Sequence, residues 1–184
     1  MAIFPPANRL WYKEPIHSIE LGWFIIAFLW GLFMFFFMIA WHFIGNQNLS
    51  NETYRIQPDH YVEKVEAFAE EFQKVGDDGT LIEEEGTPVV VPPVGGDAYI
   101  LARLWEFWPI LELKKGESYR IHLSSADWQH GFSLQPVNIN ISVHPGLEHI
   151  LTLTPTEVGS FGIVCNEFCG IGHHTMTGRI RVVE

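Results

Sequence analysis

The sequence predicts a mainly β protein that carries one transmembrane helix near its N-terminus. Residues 21–44 contain no Asp, Glu, Lys or Arg. As a helix they would extend about 36 Å at roughly 1.5 Å per residue, which is long enough to cross a bilayer. From residue 98 onward, short apolar runs alternate with turn signals. That spacing is typical of a β-sandwich or a β-barrel.

The 184 residues divide into four segments by composition. We expect an N-terminal segment over 1–20, a transmembrane helix over 21–44, an acidic connecting segment with a short helix over 45–97, and a β domain over 98–184. A β domain of this size can bury a modest core of its own. The strands predicted in it are 98–103, 119–124, 139–143, 148–153, 159–164 and 179–183.

The apolar block over 21–44 has a competing interpretation as a cleaved signal peptide. Its length, the tryptophans Trp23, Trp30 and Trp41, and the lack of a small-residue cleavage pattern favour a membrane span instead. The orientation is weakly encoded, since Arg9 and Lys13 precede the block and Arg55 is the nearest basic residue after it. This charge difference slightly favours a cytoplasmic N-terminus.

Most of the negative charge lies in one segment. Residues 59–97 hold eleven acidic side chains against Lys64 and Lys74, a net charge of −9 within a total of −11. Apolar residues recur there at helical spacing between glutamates and predict one surface helix; they are Val62, Val65, Ala69 and Phe72. Residues 76–79 and 88–96 indicate turns and a linker. The charge either solvates an exposed face or steers a basic partner, and it argues against nucleic acid as a partner.

A metal-binding motif occupies residues 165–176. Its spacing is C-x3-C-x3-H-x2-M, and His130 lies 35 positions upstream of Cys165. Thiolate, imidazole and thioether are ligands that copper accepts. Structural zinc sites usually have C-x2-C pairs, and a mononuclear blue copper site needs only one cysteine. The alternatives are a disulfide between the two cysteines and Met176 as a core residue.

This motif resembles the dinuclear copper centre CuA of cytochrome c oxidase subunit II. Residues 137–141, 144–146 and 177–184 are similar to the single-span subunits II of the b-family of haem-copper oxidases. Other branches mostly have two spans, and Asn166 stands where serine is frequent. The resemblance implies a cupredoxin-like Greek-key β-sandwich in which 165–176 is the loop between the last two strands. The ligands it implies are the bridging thiolates Cys165 and Cys169, the imidazoles of His130 and His173, the thioether of Met176 and the carbonyl of Glu167.

The same resemblance implies a function and partners. The chain would accept electrons from cytochrome c at the copper pair and pass them to haem in subunit I of a proton-translocating oxidase, with no catalytic residue of its own. Its expected partners are subunit I, cytochrome c and membrane lipid. It would cross a bacterial or archaeal plasma membrane once, with the copper domain on the periplasmic or outer side. The alternatives are the small subunit of a CuA-containing nitric oxide reductase, and a membrane-anchored copper carrier or assembly protein.

Further roles follow from the resemblance. The aromatic residues Trp105, Phe107 and Trp108 correspond to the stretch that accepts electrons from cytochrome c, although core packing is the ordinary role of such residues. Glu20 corresponds to a glutamate at the mouth of a proton-input path, or is an interfacial carboxylate. The Glu167 side chain would reach a Mg site at the interface with subunit I. His174, beside the ligand position of His173, is expected to be exposed or to lie just outside the ligands.

Overall fold

A computed structural model describes residues 15–45, 52–137 and 139–184. The chain forms two compact units, Met1–Gln47 and Asn48–Glu184. The helices are α1 (Ser18–Ile44) and α2 (Pro58–Phe72). The strands are β1 (Glu52–Arg55), β2 (Glu83–Glu84), β3 (Thr87–Val90), β4 (Asp97–Arg103), β5 (Glu106–Trp108), β6 (Ile110–Lys114), β7 (Tyr119–Ser125), β8 (His130–Gln135), β9 (Ile139–Val143), β10 (Leu147–Leu153), β11 (Gly159–Cys165) and β12 (Thr177–Val183).

Helix α1 contains the apolar block that the sequence predicts as a membrane span. It is 27 residues long, and none of its side chains is buried within the chain. By length and composition it is the one helix of the described residues that could cross a membrane. A helix that is apolar on all sides and unburied needs an apolar surrounding, because exposing that much hydrocarbon to water is unfavourable.

The second unit is a curled sheet of mixed strands. Its main path runs β1-β10-β7-β4-β5-β12-β11-β8-β9, with β6 also paired to β12 and β3. Strands distant in this order face each other across one core, as shown by the edge-to-face contact of Phe107 in β5 with Phe132 in β8. This arrangement confirms the mainly β fold class with one N-terminal apolar helix.

The six predicted strands are all present, with shifts of at most two residues at their ends. The sequence patterns missed β1, β2, β3, β5, β6 and β8. The interpretation of 88–96 entirely as turns and linker is wrong, because Val89 and Val90 in β3 pair in parallel with β6 and are fully buried. Four of the missed strands, β1, β2, β3 and β5, have only two to four residues, too few to display an alternating pattern, and the prolines around β3 resemble a loop signal.

Helix α2 confirms the short helix predicted in the acidic segment. Pro58 lies in its first turn, where a missing N–H is harmless, and Asp59 favours the positive end of the helix dipole. Its buried side chains are Tyr61, Val65, Phe68 and Ala69. Tyr61 donates a hydrogen bond to the Ile100 carbonyl in β4 at 3.0 Å. The helix is therefore packed onto the sheet, while its glutamates face solvent.

Candidate metal centre

The end of β11 and the starts of β8 and β12 lie side by side at one end of these neighbouring strands and bring the cluster together. Cys165, the last residue of β11, pairs with Phe132 of β8, so His130 at the start of β8 lies nearby. β11 also pairs with β12, which begins immediately after Met176. The Cys165 amide donates to the Met176 carbonyl at 3.2 Å and closes the loop between these strands. The prediction that 165–176 connects the last two strands is confirmed.

The sulfur atoms of the motif lie close together inside the protein. The Sγ atoms of Cys165 and Cys169 are 3.7 Å apart, and Cys169 Sγ is 3.6 Å from Met176 Sδ and 3.7 Å from His173 Nδ1. Both cysteines are free thiols. His130, Cys165 and Cys169 are buried and place one potential ligand atom each within 4.8 Å of the others. The arrangement is a compact set of soft donor atoms shielded from water.

His130 has one occupied and one unoccupied ring nitrogen. Its Nε2 is 2.8 Å from Asp127 Oδ1. Its Nδ1 is buried and has no hydrogen-bond partner among the residues that the structure describes. A buried polar atom without a partner is unfavourable by about 1–3 kcal/mol. Such an atom beside two thiols fits a nitrogen that binds a metal ion.

The backbone of the motif loop presents a further donor atom. The Cys165 thiol donates to the Glu167 carbonyl oxygen at 3.2 Å. His173 begins a 3₁₀ turn (His173–Thr175) that carries the chain to Met176. His174 is exposed in this turn, as one of the two expectations for it stated.

Gly131 explains how the loop reaches the strand end. A Cβ atom at residue 131 would overlap the Asn166 side chain and lie 2.8 Å from the Glu167 amide. Only glycine lets the loop rest directly on β8 at this point. The Asn166 amide donates to the Gly131 carbonyl at 3.3 Å. The only sequence signal for this contact was that a glycine, Gly131, follows His130.

The Glu167 carboxylate is held by two neutral donors. Gln129 Nε2 and Ser142 Oγ both donate to it. Burial raises the pKa of Glu167, but these two hydrogen bonds outweigh burial and hold the pKa below its usual range. Glu167 is therefore an ionised group beside the cluster. Sequence patterns did not reveal Gln129 and Ser142, which come from the loop before β8 and from β9.

Electrostatics within the cluster favour neutral thiols when no metal is present. Burial, a hydrogen bond with Cys165 and the nearby Cys165 charge raise the pKa of the Cys169 thiol to about 11. Two adjacent thiolates would repel each other in a site of low polarity, so a positive ion is needed to deprotonate both near neutral pH.

The three aromatic residues fall into different surroundings. Trp105 lies in the turn between β4 and β5, is 40% exposed, and its Nε1 donates to the Cys169 carbonyl at 3.4 Å. Phe107 is 2% exposed and belongs to the core. Trp108 is half-buried, with the Arg103 guanidinium 5.2 Å from its ring centroid. Trp105 precedes β5 in a turn, so the alternation of that strand does not set the direction of its side chain.

Trp105 also covers the motif loop. A Cβ atom at Gly172 would overlap the Trp105 ring, and one at Gly170 would lie 3.7 Å from its Nε1. The indole thus rests on a glycine surface of the loop.

Glu20 belongs to helix α1 and is distant in sequence from the motif. It lies in the first turn of that helix, where the His17 backbone amide donates to its carboxylate at 3.2 Å.

Comparison with known proteins gives a consistent family. One cytochrome c oxidase subunit 2 of Thermus thermophilus is 29% identical over 172 residues, which cover 93% of this chain and 95% of the relative. A second Thermus thermophilus cytochrome c oxidase subunit 2 is 32% identical over 115 residues, covering 58% of this chain and 85% of the relative. No protein-family model matches the chain.

The fold has a counterpart among solved structures. A chain in the cryo-EM structure of a haem-copper terminal oxidase dimer aligns with 91% of this chain and 100% of its own length, at 24% identity and a TM-score of 0.55. That likeness concerns the fold alone, which is mainly β with one N-terminal apolar helix. The sequence relationship carries the family assignment, since a relative matched over most of its length is 32% identical. This chain belongs to the cytochrome c oxidase subunit 2 family and is part of an oxidoreductase complex.

Proposed function

We propose that this chain is the electron-accepting subunit of a haem-copper terminal oxidase, which receives electrons from cytochrome c at a dinuclear CuA centre and passes them to haem in subunit I. The observation that carries the proposal is the buried cluster of His130, Cys165 and Cys169. Family membership supplies the oxidase context. Soft, closely spaced sulfur donors with imidazole nitrogen are typical of copper sites.

The residues present fit a copper pair. The thiolates of Cys165 and Cys169 would bind it, and the remaining ligands would be His130, His173, Met176 and the Glu167 carbonyl. Bound there, copper supplies one-electron redox chemistry. The chain itself contributes burial, since His130 and both cysteines are at most 3% exposed. Burial excludes water and limits rearrangement of the surroundings, which suits electron transfer.

Trp105 is the aromatic residue that we propose accepts the electron from cytochrome c. It combines partial exposure with a hydrogen bond to the carbonyl of Cys169. Phe107 is enclosed in the core and Trp108 packs against Arg103, so both serve packing in this proposal. Exposed Phe168 and Ile171 belong to the same loop that Trp105 covers.

Other roles remain proposals on the same basis. We place the copper domain on the periplasmic or outer side, because it must face the electron donor, and α1 then has a cytoplasmic N-terminal end. Glu20 at that end would serve a proton-input path of subunit I. The ionised Glu167 carboxylate would bind Mg at the interface with subunit I, replacing its bonds to Gln129 and Ser142.

Metal analysis of the purified full chain tests the proposal directly. We expect two coppers per chain in one mixed-valence unit, seen by elemental analysis and by electron paramagnetic resonance. One copper per chain, or zinc alone, would contradict the assignment. Reaction of the intact complex with reduced cytochrome c, followed by haem reduction in subunit I, separates this function from that of a copper carrier.

A further inference from the structure

Asp127 connects two parts of the site that are separate in sequence. Its Oδ1 lies 2.8 Å from Nε2 of His130, and its Oδ2 accepts from the Leu104 amide at 2.8 Å. Leu104 directly precedes Trp105. One carboxylate therefore touches a proposed ligand and the turn that carries the proposed electron acceptor.

The carboxylate is itself firmly held. The Trp128 amide donates to Asp127 Oδ1 at 2.6 Å, and the Asp127 amide donates to Ser125 Oγ at 3.2 Å. Ser125 Oγ in turn donates to the Trp128 carbonyl at 2.6 Å. These bonds form a tight turn after β7 that leaves the side chain little freedom. The position of the carboxylate is set by the backbone rather than by His130.

The contact determines which nitrogen of His130 is available. Each oxygen of the Asp127 carboxylate accepts a backbone N–H, Oδ1 from Trp128 and Oδ2 from Leu104. The carboxylate thus acts as an acceptor, so the proton of a neutral His130 ring resides on Nε2, the nitrogen that faces Oδ1. Nδ1 then has a free lone pair, and it is the buried nitrogen without a partner among the described residues.

We propose that Asp127 is a positioning residue that fixes His130 with Nδ1 as its ligand nitrogen and, through Leu104, holds the turn that places Trp105 over the motif loop. The purpose of this positioning role rests on the proposed copper function, whereas the contacts of Asp127 with His130 and Leu104 are independent of it. A carboxylate behind a ligand histidine fixes the ring and raises its basicity, and loss of such a partner weakens metal binding by about 10- to 100-fold.

Two variants of the full chain separate the two contacts. Asp127→Ala removes both acceptors. Asp127→Asn keeps one oxygen, which should face the site of Oδ1, because two donors converge there and only the Leu104 amide points to Oδ2. Asp77→Asn is the matched control, since Asp77 is an exposed carboxylate in another turn of the second unit.

The first measurement uses metal-free protein in detergent. Nitrogen NMR above neutral pH should show a single Nε2–H tautomer for His130 in the wild type, and a mixture in Asp127→Ala. The Trp105 indole N–H signal should move in both Asp127 variants, whereas Asp127→Asn should retain the His130 tautomer. If neither signal changes in either variant, the positioning role is wrong; Asp127→Asn decides the matter should the alanine variant not fold.

The second measurement is a Cu(I) competition titration. We expect Asp127→Ala to bind about 10-fold more weakly or worse, Asp127→Asn to lie between it and the wild type, and Asp77→Asn to match the wild type. If the wild type binds no copper, the proposed function is wrong, and the tautomer measurement still tests the role of Asp127. Equal affinity in all four proteins, with copper bound, would overturn the inference and leave the function intact.

Discussion

At the scale of single residues, the potential ligands of the cluster differ in how strongly they would bind a soft metal. If each cysteine binds copper as we propose, a serine hydroxyl cannot replace its thiolate, because an alcohol oxygen is a poor ligand for a soft metal. Met176 is different: its thioether is a weak neutral donor, and the side chain is also fully enclosed in the core, with 1% exposure. The two residue types should therefore respond differently to substitution.

We expect Cys165→Ser and Cys169→Ser to abolish the delocalised copper spectrum, while Met176→Leu keeps copper and shifts the redox potential. Leucine conserves the volume of methionine, so the stability loss should stay below about 1.5 kcal/mol. Elemental analysis and spectroelectrochemistry measure copper content and potential, and urea unfolding measures the stability. Equal copper loss in the leucine and serine variants would show that this ranking of ligands is incorrect.

The raised pKa of Cys169 predicts a pH dependence in the metal-free chain. The folded state holds the thiol proton up to a pKa of about 11, whereas an unfolded thiol releases it near its ordinary value of about 8.5. Between these values the folded state binds more protons, so stability present below pH ~8.5 is lost as pH rises toward 11.

Urea unfolding at several pH values checks this expectation. The wild type should lose stability over that interval more steeply than Cys169→Ala. Tyr61, whose pKa is raised well above its usual value mainly by burial, is present in both proteins and cancels in the comparison. Parallel pH profiles for the two proteins would contradict a strongly raised thiol pKa.

At the scale of elements, α2 is a structural part of the β unit. Its own side chains Tyr61 and Val65 are fully buried, and its Lys64 forms an ion pair with Glu148 of β10 at 2.9 Å. The sequence assigned this helix to a connecting segment, and the boundary at residue 97 remains a prediction. A fragment that begins at residue 98 would expose the surface of β4 that contacts Tyr61.

Val65→Ala should therefore lower the free energy of unfolding by about 2 kcal/mol, because it leaves a small cavity under α2. Glu66→Ala is the matched control on the exposed face of the same helix and should change stability by less than about 0.5 kcal/mol. Urea unfolding of the full chain measures both. Equal stability of the two variants would indicate that α2 does not contribute to the folded core.

At the scale of the whole molecule, negative charge and the cluster belong to the same unit. The acidic side chains of α2 point to solvent, where they contribute to a long-range negative field. A basic electron donor would be steered by this field. Its reaction at Trp105 would depend on contact instead, and the two dependences can be separated.

Raising ionic strength should slow association with cytochrome c, since exposed charges are screened over about 8 Å at physiological salt. Trp105→Phe should slow the electron-transfer step at every salt concentration, and Trp108→Phe serves as the control because Trp108 packs against Arg103. Stopped-flow reduction of the complex, with copper content verified, measures these rates. Rates indifferent to salt and to Trp105 would place the donor elsewhere.

The amino-acid sequence by itself determined the features that depend on local order. The apolar helix, six strands and the acidic helix follow from periodicity and composition over contiguous residues. The motif loop between β11 and β12 is local for the same reason, so its donor set was visible as a spacing.

The tertiary structure alone decided which distant residues meet. β8 was missed because only two of its six residues, Phe132 and Leu134, are large and apolar, yet its pairing with β11 brings His130 to Cys165. Asp127 showed no pattern beyond lying three residues before a histidine, and its role depends on Leu104 from another strand turn. Trp105 and Phe107 separate because a turn, not strand alternation, sets their directions. Pairing between strands that are distant in sequence fixes these contacts, and the periodicity of apolar residues along one segment does not encode such pairing.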